Sequence, residues 1–169
     1  VYLQDSGLLA RCSLVGNRAS NRAGGAYFLR GGTCDWSRIE ANTAARRGGG
    51  LFLDGAGVLT HSMVSSNITL LPYDEGNWAA TETHGGAGVY LTGAAQMDNC
   101  LVVGNASACR GGGAFLHAGG SMINCTLTAN AAARFGGGVA GGGLRSVFNC
   151  IIKNNTAGYG WRDNFEENG

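Results

Sequence analysis

The sequence predicts an all-β chain: a right-handed parallel β-helix of six coils, about 25 residues each. Three observations predict it. Asparagines recur at a fixed interval, a glycine run follows the first five of them, and small or apolar residues form columns in between. The asparagines are Asn17, Asn42, Asn67, Asn105, Asn130 and Asn155, separated by 25, 25, 38, 25 and 25 residues. The one long interval is a period plus a 13-residue insertion (38 − 25 = 13). The glycine runs open at Gly24, Gly48, Gly85, Gly111 and Gly136. A fixed period in the twenties marks a solenoid in which each repeat is one coil.

The columns identify the coil as β. Three residues before each asparagine stand Leu14, Ile39, Val64, Val102, Leu127 and Ile152. Eight before stand Leu9, Cys34, Leu59, Met97, Met122 and Val147. After the glycines, Val1, Ala26, Leu51, Val89, Ala114 and Val139 alternate with Leu3, Phe28, Leu53, Leu91 and Leu116 on one face of a short strand. These segments are too short and too rich in branched residues for helices. A leucine-rich repeat has a similar period, but its LxxLxL frame is missing. Parallel strands of adjacent coils pair at about 4.8 Å, so six coils form a rod of roughly 30 Å. A turn asparagine can satisfy backbone groups of neighbouring coils, and glycine permits close backbone approach at the corner before each strand.

Composition removes several classes. Glycine, at 31 residues, is not every third residue, which excludes collagen. A hydrophobic fraction of 44 % is enough to bury a core, unlike a disordered low-complexity chain. A net charge of +1 names no nucleic-acid partner, and no apolar run reaches the ~18 residues of a transmembrane segment. The expectation is one β-helix over residues 1–169 with a loop insertion at 70–84.

Two motifs carry a family resemblance. The first is GGA or GGG followed by an aliphatic or aromatic, as in GGAY at Gly24, GGAG at Gly85 and GGGAF at Gly111. The second is apolar-x-x-Asn, read as LVGN, IEAN, VSSN, VVGN, LTAN and IKNN. Together they resemble the GGA(I/L/V) and FxxN repeats of chlamydial polymorphic outer-membrane proteins, with an aliphatic in place of the phenylalanine. The resemblance spans nearly the whole chain. It implies a β-helix and a surface-displayed adhesive passenger in which no single residue carries an activity.

Several features are candidates for function. Tyr2, Tyr27, Phe52, Tyr90 and Phe115 lie between the inward positions of their strands, which places them outside as an exposed aromatic stripe. The bland reading inverts the faces and puts these rings in the core. Arg22, Arg47 and Arg110 share a column, with Arg46 and Arg134 one place earlier; this is a solvated turn or a stripe for an acidic polysaccharide. In the insertion, Tyr73, Asp74, Glu75, Trp78 and His84 make either a ligand or subunit contact or a plain surface excursion. Cys12, Cys100, Cys125 and Cys150 occupy one inward column with Ser37 and Ser62, expected as buried free thiols. Of four Asn-x-Ser/Thr sequons, those at Asn67 and Asn105 use ladder asparagines. That leaves Asn124 and Asn154 as N-glycosylation candidates in a glycoprotein.

No catalytic constellation is legible. Acidic residues are scattered: Asp35 and Asp98 share a column but are separated by the coil carrying Thr60. His61, His84 and His117 fall in three different columns, and no cysteine pair has metal-ligand spacing. The expectation is therefore no enzyme, no cofactor and no metal. The chain reads as a structural or adhesive module of an extracellular cell-surface or filament-forming protein. Its partners would be other copies, protein subunits or glycans. The alternative is a β-helix that binds or degrades polysaccharide, as a lyase or hydrolase. The opening at Val1-Tyr2-Leu3, without a preceding glycine run, suggests an edge able to pair within a longer or polymeric assembly.

Overall fold

The computed structural model describes residues 1–72, 75–77, 83–142, 146–159 and 163–168. Residues one period apart lie directly over one another. Parallel pairing joins Leu14 to Ile39, Ile39 to Val64, Val64 to Val102, Val102 to Leu127 and Leu127 to Ile152. The Val64–Val102 pair spans the insertion, so the extra residues are looped out and the register above and below is unchanged. Each coil gives strands to three parallel sheets, two with six strands and one with eleven among the described residues. The chain is thus a β-solenoid of six coils; its one helical element among the described residues is a 3₁₀ turn at Glu75–Asn77.

Most strands have two to five residues, too short to be stable alone. Burial in the lumen holds them. Leu51, Leu53, Leu59, Val89, Leu91, Met97, Val102, Leu116, Met122 and Leu127 have no accessible surface and belong to one continuous cluster. Each such side chain contributes about 1.5–3 kcal/mol relative to exposure, and every one rests on its counterparts in neighbouring coils.

Left-handed residues fall in four columns: one is Asp5, Arg30, Gly55, Gly93 and Ala118, and the other three turn the remaining corners. Arg11, Trp36, His61, Asn99, Asn124 and Asn149 form the first of these three, with φ between 45° and 55°. Gly16, Ala41, Ser66, Gly104, Ala129 and Asn154 form the second. Ala23, Gly48, Gly86, Gly111 and Gly136 form the third. Outside glycine and asparagine this backbone costs roughly 1 kcal/mol per residue, which the stacked coils override.

The asparagine ladder runs through all six coils. Asn42 Oδ1 accepts the backbone N–H of Asn17 at 2.9 Å and its Nδ2–H at 2.9 Å. The same pair of bonds links Asn42 to Asn67, Asn67 to Asn105, Asn105 to Asn130, and Asn130 to Asn155. From Asn42 on, each amide also donates to a carbonyl one coil back, as Asn105 Nδ2 does to Val64 at 3.0 Å. All rungs but Asn17 are buried. After Asn155 the ladder continues on a residue out of period. Asn164 Oδ1 accepts both the N–H and the Nδ2–H of Asn155, at 3.2 and 3.1 Å, and Asp163 Oδ1 accepts the N–H of Ala157 at 2.6 Å. The two side chains supply acceptors that a further coil would otherwise provide.

Candidate functional site

In the cysteine column Cys100 and Cys125 are buried, whereas Cys12 and Cys150, in the first and last coils, are only half-buried; its hydrogen bonds explain why serine and cysteine interchange there. Ser37 and Ser62 donate through their hydroxyls to the carbonyls of Asp35 and Thr60, at 2.8 and 2.7 Å. Their oxygens accept the N–H of Cys12 and Ser37, at 3.1 and 2.9 Å. The thiols of Cys12, Cys100, Cys125 and Cys150 bond the carbonyl two residues back in the same way, at 3.1–3.3 Å. All six cysteines are unbridged. The neighbouring Cys125 thiol and burial push the Cys100 thiol up.

Cys34, in a different inward column, has its thiol pushed up to about 11 by burial. Between the ordinary value of 9.0 and about 11 the folded chain keeps a proton that the unfolded chain loses, so stability falls as pH rises through that window. Urea midpoints should hold steady below pH 9 and decline above it. Cys34→Ala should make that alkaline decline shallower.

The aromatic stripe requires a correction. Its rings do lie outside the lumen, in a second cluster separate from the main core, but they are not an exposed face. Phe52, Tyr90 and Phe115 are 2 %, 0 % and 3 % accessible; Tyr27 is half-buried and only Tyr2 is exposed. The reason is the corner that precedes each strand. Its left-handed glycine turns the chain back against the ring: a Cβ on Gly111 would meet Phe115 Cβ at 3.0 Å. Successive rings also cover one another, with centroids 4.6 Å apart for Phe52 and Tyr90 and 5.3 Å for Tyr90 and Phe115.

The arginine column is part of the same cover rather than a simple solvated turn. The guanidinium of Arg22 lies over Phe52 at 5.4 Å and that of Arg47 over Tyr90 at 5.7 Å, within cation–π range. Arg110 is buried, over Phe135. Of the insertion residues proposed for contact, Tyr73, Asp74 and Trp78 lie outside the described residues. The insertion returns at Thr83, which accepts a hydrogen bond from Arg47, and at His84, which is buried. Burial and then the charges of Arg47 and Arg46 lower the pKa of His84.

Both glycosylation candidates, Asn124 and Asn154, are exposed and sit at left-handed corners. Asn124 leads to a feature the sequence reading passed over. It belongs to the column Arg11, Trp36, His61, Asn99, Asn124 and Asn149, six residues before each ladder asparagine and exposed in every coil. Trp36 is 61 % accessible, and its ring stacks on His61 at 4.9 Å with 6° between the planes. His61 Nδ1 sits 2.8 Å from Thr60 Oγ1 and 3.1 Å from Asp35 Oδ1. A carboxylate oxygen accepts, so His61 Nδ1 carries the hydrogen shared with Asp35. Farther along, Asn124 Nδ2 donates to Asp98 Oδ1 at 3.1 Å and Asn149 Nδ2 to Asn124 Oδ1 at 2.6 Å. The signal was present as a sixth-place column reading R, W, H, N, N, N, but it is neither apolar nor uniform.

Compared with protein-family models, curated proteins and solved structures, the chain matches none.

Proposed function

We propose that the chain is a structural and adhesive module of an extracellular surface or filament-forming protein. One observation carries this reading: the corner that holds Trp36 is exposed and recurs in register in all six coils, on a scaffold whose interior amides are tied rung to rung. Such a scaffold presents one contact per coil, about 4.8 Å apart, to an extended partner lying along its axis. With the aromatic stripe covered, the corner takes over as the contact surface. Burial of Cys34 and Cys100 also suits an oxidising exterior, because buried thiols held protonated react slowly.

A second reading, polysaccharide cleavage, is favoured by Asp35 and Asp98. They bracket His61 two coils apart on this corner, roughly 10 Å between backbones at ~4.8 Å per coil, near the carboxyl spacing of inverting glycosidases. One experiment separates the two. The protein is co-sedimented with insoluble polysaccharides or with its own polymers, and the supernatant is assayed for new reducing ends and unsaturated sugars. Sedimentation without product supports the adhesive module; sustained product release overturns it in favour of the enzyme.

A further inference from the structure

We propose that the Trp36 corner is a binding site for an uncharged glycan chain running parallel to the solenoid axis. The inference rests on the adhesive reading above and names the ligand class of that corner.

A pyranose ring has an apolar C–H face and a rim of hydroxyls, each both donor and acceptor. Its complement is an accessible aromatic plane beside side chains of mixed hydrogen-bonding sense. Trp36 supplies the plane, held flat by its stack on His61 rather than swinging free. Asp35 and Asp98 supply acceptors, and the amides of Asn99 and Asn124 supply both senses. Asp35 is fixed by its bond to His61 and Asp98 by its bond to Asn124, so the polar groups are preorganised before any ligand arrives.

The charge of this strip selects among linear polymers. Arg11 is the one formal cation in the column, and two carboxylates, Asp35 and Asp98, stand at the position just before the corner in the second and fourth coils. Nucleic acid needs cations placed against its phosphates, and a uronate or sulfated polymer would face these carboxylates. A folded protein partner usually covers about 800 Å² per side with an apolar centre. A strip one residue wide, with Trp36 as its exposed aromatic until Phe148 at the far end, is too narrow for that. It fits a chain molecule that repeats at about the coil rise.

The test uses the full chain with three probes: cellohexaose, hexa-N-acetylchitohexaose and hexagalacturonate. Binding is read by calorimetry and by the shift of the Trp36 indole N–H resonance. The expected result is saturable binding of at least one neutral hexamer, weakened about tenfold or more in Trp36→Ala, largely restored in Trp36→Tyr, and weakened less in Asn99→Ala. These side chains are exposed, so the melting temperature of each variant should match the parent and separate lost binding from lost fold. No saturable binding of either neutral probe overturns the proposal, as does unchanged affinity in Trp36→Ala or tighter binding of hexagalacturonate. Loss of self-association in Trp36→Ala without glycan binding would overturn the glycan site while leaving the adhesive module standing. Glycan binding accompanied by hydrolysis would do the reverse.

Discussion

Asn105→Ala should destabilise the chain by about 3–5 kcal/mol, whereas Asn17→Ala should cost less than about 1 kcal/mol. Both substitutions remove the same side chain from the same column, and the difference lies in what each amide holds. Asn105 Oδ1 is the acceptor for the backbone N–H and the Nδ2–H of Asn67, both at 2.9 Å and fully buried. Its Nδ2 donates to Val64, to Val103 and to Asn130 Oδ1. Alanine leaves two buried donors and a buried acceptor with no water to replace the partner, and each orphan costs roughly 1–3 kcal/mol. Asn17 is exposed and makes its side-chain bonds to Val15 and Asn42 at the edge of the stack, where water can substitute. Asn105→Asp sharpens the test. It keeps the acceptors but brings a charge into the stack and cannot donate to Val64 or Asn130, so it should be at least as damaging as alanine. Urea unfolding of the four proteins decides the matter. Equal costs at Asn17 and Asn105 would mean the ladder is a consequence of stacking and not one of its supports.

The fold was legible because a solenoid writes its contacts into the sequence at a fixed interval. Leu14, Ile39, Val64, Val102, Leu127 and Ile152 are neighbours in space for the same reason that they are in phase in the sequence. The ladder was legible likewise, as turn asparagines serving the backbone of neighbouring coils; the direct amide-to-amide bonds along it were not. Alternation also told correctly that Phe52, Tyr90 and Phe115 leave the lumen, but it carries no information about what lies beyond a strand's outer face. Their cover comes from a backbone reversal at left-handed glycines and from arginines of the preceding turn, both set by corner geometry and not by strand periodicity. The Trp36 corner was missed for a related reason. Its common property is a backbone conformation, φ near +50°, shared by arginine, tryptophan, histidine and asparagine, so no chemical type repeats until Asn99, Asn124 and Asn149. The acceptors after Asn155 were hidden because Asn164 follows it by nine residues instead of a full period.

Gly113→Ala is expected to cost about 3 kcal/mol, although its backbone is not left-handed and alanine has no conformational objection there. The reason is space. A Cβ on Gly113 would stand 2.6 Å from the carbonyl oxygen of Gly138, 3.0 Å from Asn130 Nδ2 and 3.1 Å from Leu127 Cδ2. Its counterparts Gly25, Gly50, Gly88 and Gly138 meet the carbonyl of the next coil at 2.4–2.7 Å, and each lies against a ladder asparagine or, for Gly88 and Gly138, a lumen side chain as well. The glycine run therefore does two separate jobs. Its first member turns the corner at Gly48, Gly111 and Gly136 (Ala23 and Gly86 do so in the other two runs), and its last leaves room for the asparagine amide to reach across the coil. Relief would require adjacent coils to separate, which the backbone bond from Ala114 N–H to Gly138 at 2.9 Å resists. Two controls isolate this cause from glycine's conformational freedom. Gly16→Ala meets nothing within 4 Å but holds φ at +68°, so it should cost only about 1 kcal/mol. Ala129→Gly relieves a left-handed alanine in the same corner column and should be neutral to stabilising by up to about 1 kcal/mol. If Gly113→Ala proved as mild as Gly16→Ala in urea unfolding, the close packing of the ladder against the glycine run would not be what restricts that position.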